Sequence, residues 1–205
     1  MFQSKFNAKF KLYELESGTP RILTRKYPKM AIKRPFNLKK WIDENRNILK
    51  PPVGNKNLYA DAGDYIVMIV GGPNARKDYH YNDTEELFYQ LEGDIEVTIQ
   101  EDGKAVKIPI KEGEMYLHPA KVPHSPARPE NSVGLVIERK RAADHQDGLM
   151  WFCDHCNHKL HDTYFPLKNI EKDFLPRFKE FYNSEELRTC DNCGHVMETD
   201  PRFTD

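Results

Sequence analysis

From residue 65 onward the chain alternates apolar and polar positions in short runs: Tyr65–Val70, Leu87–Leu91, Ile95-Val97-Ile99, Val106-Ile108-Ile110, Met115–Leu117 and Val133–Ile137. A period of two puts every second side chain on one face, so each run predicts a half-buried strand. Gly71-Gly72, Gly93-Asp94, Asp102-Gly103, Glu112-Gly113 and a proline-rich stretch punctuate them as turns. Six or more strands at this spacing predict a mainly β sandwich or barrel. Ahead of them, Leu38, Trp41, Ile42, Ile48 and Leu49 recur at helical spacing, with Asn37 at the capping position and Pro51-Pro52 as the stop. Beyond about residue 145 the texture changes to histidines, aromatics and cysteines. There Phe178, Phe181 and Tyr182 predict a short helix started by Pro176. The expected organisation is an extension over 1–30, a barrel over 31–145 and a small module over 146–205.

Composition narrows the function classes. A chain of 205 residues, 39% hydrophobic and 31% charged, suits one or two soluble domains. No run approaches the roughly 20 apolar residues of a membrane span, and no secretory leader opens the sequence. The net charge of -1 leaves no global field to hold a nucleic acid. The charge is uneven, however: residues 1–34 carry nine Lys/Arg against two Asp/Glu, and the rest carry 22 against 30. The sequence Met30-Ala31-Ile32-Lys33 could itself begin a protein, and Met30 is the expected native start. No strand runs through a glycine-rich loop into a helix, so neither a dinucleotide fingerprint nor a P-loop is present.

Two constellations carry candidate chemistry. Cys153-Asp-His-Cys156 and Cys190-Asp-Asn-Cys193 are two C-x-x-C knuckles with 33 residues between them. A two-residue gap lets both thiolates of a knuckle face one ion, and two knuckles complete a tetrahedral shell. With every ligand position filled, the site is expected to be structural, holding Fe or Zn. The nearby His155, His158, His161 and His195 are expected to be solvated. In the barrel, His80, Glu86 and His124 offer two imidazoles and one carboxylate, which would leave positions open on an ion as in non-haem Fe(II) oxygenases. His118, Asp78, Asp83 and Glu85 compete for those roles.

Gly72-(x5)-Asp78-x-His80-(x5)-Glu86-(x6)-Gly93 resembles the first cupin motif, and Gly113-(x5)-Pro119-x-Lys121-(x2)-His124-(x3)-Arg128 the second. Three positions depart from the general pattern: Asp78 stands for the first His, Lys121 for Gly and Arg128 for Asn. That combination is similar to one family, 3-hydroxyanthranilate 3,4-dioxygenase. The stretches Pro35–Trp41, Leu49–Gly54, Val70–Asn74, Asp78–His80, Glu86–Leu91, Pro123–Pro126 and Val136–Arg139 carry the resemblance, and the paired knuckles are similar to the rubredoxin-like site of its bacterial-type branch.

The resemblance implies a cupin (jelly-roll) barrel with an N-terminal helix, in a cytoplasmic homodimer that opens the ring of 3-hydroxyanthranilate with Fe(II) and O2. The product would be 2-amino-3-carboxymuconate semialdehyde, which closes to quinolinate, a precursor of NAD. Carried over by position, His80, Glu86 and His124 would hold the iron. Arg76 and Arg128 would lie near the oxygen and substrate carboxylate, and Glu138 would contact the substrate amine. Asn37 would lie near the pocket, although a helix cap accounts for it equally well. A cupin oxygenase for another small aromatic, or a non-catalytic cupin sensor or scaffold, are the alternatives.

Overall fold

The computed structural model describes residues 33–50 and 54–204, so the basic extension and the expected start at Met30 lie outside the described residues. Helix α1 (Leu38–Asn45) runs into a 3-10 turn at Arg46–Ile48, where the helical spacing ends. All six alternating runs form strands: β2 (Tyr65–Gly71), β4 (Glu86–Glu92), β5 (Ile95–Glu101), β6 (Lys104–Ile110), β7 (Met115–His118) and β9 (Val133–Arg139). Five further strands join them: β1 (Asn55–Asn57), β3 (Tyr79–Tyr81), β8 (His124–Ala127), β10 (Asp147–Phe152) and β11 (Lys159–Phe165).

The strands form two sheets, β1-β2-β9-β4-β7 and β11-β10-β3-β8-β5-β6, whose pairings are antiparallel. This is the mainly β cupin architecture expected from the two motifs. Along β4 and β5 buried and half-buried positions alternate, as a strand with one face on a core requires. Met68, Phe88, Val97, Ile99 and Val136 fill that core, and each fully buried side chain of this size contributes about 1.5–3 kcal/mol. Outside the first sheet, Ile42 and Leu49 of the helical segment cover Ile69 and Val133.

Turn chemistry sets the register. Glu101 pairs with Lys104 across Asp102 and Gly103, whose φ values of 49° and 75° make a two-residue turn that matches strand twist. Lys121, where the second motif usually has glycine, adopts φ 65°, and its N–H donates to the Asn82 carbonyl at 2.9 Å. The motif's glycine thus reflects a left-handed backbone that this chain imposes on a lysine.

The C-terminal aromatics pack on the second sheet. Strand β10 pairs with β3, placing Leu149 opposite His80. Trp151 lies stacked on Phe181 at 4.4 Å between ring centroids. Phe181 belongs to α2 (Ile170–Asn183), which a short α3 (Glu185–Arg188) follows. Pro176 does not start α2, contrary to expectation. Asn169 caps it by accepting from the Lys172 N–H at 3.1 Å, and Pro176 sits inside it, giving up one backbone donor. Burial of Phe174, Phe178, Phe181 and Tyr182 holds the helix across that defect. From Leu38 to Asp205 the chain forms one compact unit.

Candidate active site

Three strand pairings between residues far apart in the sequence bring the barrel donors together. His80 on β3 pairs directly with His124 on β8, and Glu86 at the start of β4 lies opposite both His118 and Glu138. One donor atom from each of His80, Glu86 and His124 lies within 4.8 Å of the others. His124 Nε2 is 3.1 Å from Glu86 Oε2. Burial alone would raise the Glu86 pKa, but the imidazoles of His124 and His80 hold it down to about 2. His124 is the first residue of β8, directly after Val122-Pro123.

The competing ligands fall elsewhere. Glu85 is exposed, whereas Glu86 is buried at 7% exposure, which orders the two adjacent acids. His118 spends Nε2 on the Val122 carbonyl at 2.9 Å, and burial pushes its pKa down to about 4. Asp78, which replaces the first histidine of the general motif, is buried and lies 3.3 Å from Arg76 Nε.

A cavity of about 700 Å³ opens over this cluster, within the range of small-molecule sites. Met68, Val70, Phe88 and Val136 give it an apolar barrel wall, and Arg76, Arg128 and Glu138 supply its charges. Arg128 is 3% exposed, and its guanidinium contacts the Gln90 carbonyl oxygen at 3.4 Å. Among the described residues no carboxylate lies within ion-pair distance of it. Burial lowers its pKa to about 10, so it stays cationic at neutral pH. Gly134 has no room for a methyl group because Arg128 Nη1 would lie 2.8 Å from it. Arg76, by contrast, has Asp78 as partner and lies over the Phe174 and Phe178 rings at 5.9 and 5.1 Å. Glu138 is buried at 3% exposure, and burial with the Glu86 charge pushes its pKa up to about 7.

Asn37 is not among the residues lining the cavity; the asparagines that line it are Asn55 and Asn74. Sequence reasoning also missed Phe174, Leu175, Phe178, Arg202 and Phe203, all from the C-terminal segment. Of these only Phe178 belongs to the aromatic spacing that predicts a helix.

The four cysteines meet as the knuckle spacing requires. Cys153 Sγ is 3.7 Å from Cys193 Sγ, and Cys156 Sγ is 3.5 Å from Cys190 Sγ. A tetrahedral shell with metal–sulfur bonds of about 2.3 Å separates its sulfurs by about 3.8 Å, so the donor set fits one ion. The two loops repeat each other: Asn157 and Gly194, each four residues after its first cysteine, have φ values of 60° and 72° and donate to the carbonyls of Cys153 and Cys190. Cys153 and Cys190 are buried, and Cys156 and Cys193 face solvent.

The first knuckle is tied to the barrel. Lys77 Nζ lies 2.6 Å from Asp154 Oδ2, and the amides of Gln100 and Asn157 exchange hydrogen bonds at 3.0 and 2.9 Å. Since the knuckles and α2 belong to the segment that walls the cavity, Cys153→Ser is expected to affect substrate binding as well as stability. A loss of about 3 kcal/mol would lower Tm by about 6–12 °C. KM should rise while the metal-binding capacity of the His80, Glu86 and His124 cluster is retained, and melting curves, steady-state kinetics and metal analysis read the three separately.

The family model described as 3-hydroxyanthranilic acid dioxygenase matches residues 30–182. A 3-hydroxyanthranilate 3,4-dioxygenase of Xanthomonas euvesicatoria pv. vesicatoria is 55% identical over 169 residues, covering 82% of this chain and 95% of the relative. One from Bacillus thuringiensis is 48% identical over 163 residues, covering 79% and 90%. A solved cupin-2 domain protein from Shewanella frigidimarina aligns with a TM-score of 0.41 and 22% identity, over 48% of this chain and 92% of that one. With the model match spanning most of its length and relatives that it covers almost end to end, the chain belongs to the 3-hydroxyanthranilic acid dioxygenase family.

Proposed function

We propose that this enzyme opens the ring of 3-hydroxyanthranilate with O2, using Fe(II) held by His80, Glu86 and His124. The observation that carries the reading is a largely buried three-donor cluster on the floor of a cavity whose wall contains a buried guanidinium with no acid within ion-pair distance among the described residues. Two imidazoles and a carboxylate suit a non-haem Fe(II) ion and leave part of its shell open. Iron bound there would supply the electron exchange with O2 that a closed-shell aromatic cannot make directly.

The chain's own residues bind and orient. Arg128 would take the substrate carboxylate, since a planar fork binds it bidentately and the carboxylate would neutralise an otherwise unpaired buried charge. Glu138 would accept from the amino group. Phe88, Val136, Phe174 and Phe178 would flank the ring and displace water from it. One O2 is consumed per ring: one oxygen atom completes a carboxyl at the former hydroxyl-bearing carbon, and the other becomes the aldehyde of 2-amino-3-carboxymuconate semialdehyde. That product closes to quinolinate, which places the enzyme upstream of NAD. The four-cysteine site would hold a structural Fe or Zn, and the working form would be a cytoplasmic homodimer.

A substrate panel tests the reading. The iron-loaded protein should turn over 3-hydroxyanthranilate and strongly prefer it to 2,3-dihydroxybenzoate, its hydroxy counterpart. Glu138→Gln should shrink that preference, by about 10-fold if one charge-assisted hydrogen bond is lost. Preferred cleavage of the dihydroxy compound by the wild type would refute the substrate assignment.

A further inference from the structure

Four side chains form an unbroken, largely buried line from the substrate wall to the donor cluster, with His80, its side chain 13% exposed, at the end. Arg141, in the loop after β9, donates through Nη1 to Glu138 and through Nε to Asp147 Oδ1 at 2.8 Å. Asp147 Oδ2 in turn lies 2.7 Å from His80 Nε2. Asp147 and Glu138 are 1% and 3% exposed, and the Arg141 side chain 8%. Asp147 begins β10, the strand hydrogen-bonded to β3, which sets it diagonally beside His80 on the sheet. Neither Arg141 nor Asp147 belongs to the two cupin motifs, and neither lines the cavity.

A buried ion network is a poor way to stabilise a fold, because desolvation offsets most of its Coulombic return. What it supplies is geometry. A carboxylate on one ring nitrogen of a metal-ligating histidine fixes the tautomer and the ring plane. With Asp147 on Nε2, the proton sits there and the lone pair is left on Nδ1. Arg141 grips Asp147 through two nitrogens and reaches Glu138 with a third, so the same guanidinium sets the acid proposed to read the substrate amine.

We propose that Asp147 and Arg141 are positioning residues that lock His80 with Nδ1 toward the ion and tie its placement to that of Glu138. This deepens the iron-dependent reading above and rests on it.

The test uses the full-length protein with the four-cysteine site loaded and the barrel stripped of metal. Long-range nitrogen–proton NMR of the histidine rings, assigned by the signal lost in His80→Gln, should show the His80 proton on Nε2 alone. A proton on Nδ1, or on both nitrogens, would overturn the proposal. Titration with Co(II) alone should show Asp147→Asn binding about 10–100-fold more weakly in the barrel. The thiolate charge-transfer band of the four-cysteine site should not change. Arg141→Lys keeps a cation but not the fork. It should weaken Co(II) binding less than Asp147→Asn and raise KM for 3-hydroxyanthranilate more than it lowers kcat. A folded Asp147→Asn with wild-type Co(II) affinity and an unmoved His80 proton would also overturn the proposal. If Asp147→Asn fails to fold, the wild-type NMR result still decides. A wild type that shows the Nε2 proton and binds Co(II) but opens no ring would instead sink the substrate reading and leave the positioning roles standing.

Discussion

Alanine at His80 or at His124 is expected to abolish turnover and to remove one equivalent of iron while the barrel stays folded. The two imidazoles sit side by side on paired strands, and with Glu86 they place three donors within 4.8 Å. Removing one leaves two donors, too few to hold a weakly binding ion such as Fe(II) against water. The fold should survive, because the core between the sheets is built from Met68, Phe88, Val97, Ile99 and Val136. Glu86→Gln should behave the same way, and Glu85→Gln, at an exposed position, should be nearly silent. Iron content, circular dichroism and oxygen uptake on the four variants check this. Full iron occupancy in His80→Ala and His124→Ala would refute the ligand assignment.

Arg128→Ala should cost about 2–4 kcal/mol of substrate binding, an affinity loss of about 30- to 1000-fold, because a desolvated charge-assisted pair disappears. The guanidinium is buried against Gln90 and Gly134 and has no competing acid within ion-pair distance among the described residues. The decarboxylated analogue 2-aminophenol never makes that contact, so it should bind the wild type weakly and lose little more in the variant. The comparison is a double-mutant cycle in which the substrate supplies one change. Equal losses for the two compounds would move the carboxylate-reading role to Arg76, whose guanidinium is already shared between Asp78 and two phenylalanine rings.

Much of this was legible in the chain, and the parts that were not share a physical cause. Strands with one buried face announce themselves by alternation, which is why β4, β5, β6, β7 and β9 were readable, and β2 was readable as a continuous apolar run ending at Gly71-Gly72. Strands β3 and β8 are three and four residues long, too short for a period to show. In β10 the first five positions are all buried, leaving no alternation. The clustering of His80, Glu86 and His124 could be read because motif spacing encodes it. Asp147 could not, since its contact with His80 spans 67 residues and arises from the pairing of β10 with β3. The same holds for the C-terminal wall: nothing local in Phe174, Phe178 or Arg202 says that they face a cavity formed by the barrel.

The most direct test of the account is oxygen uptake by the anaerobically iron-loaded protein on addition of 3-hydroxyanthranilate, with semialdehyde absorbance followed in the same cuvette. The account predicts one O2 consumed for each semialdehyde formed, at a rate proportional to iron in the barrel and absent in His124→Ala. A folded protein with iron in the barrel and the four-cysteine site filled that consumes no oxygen with this substrate, or consumes it without forming the semialdehyde, would contradict it.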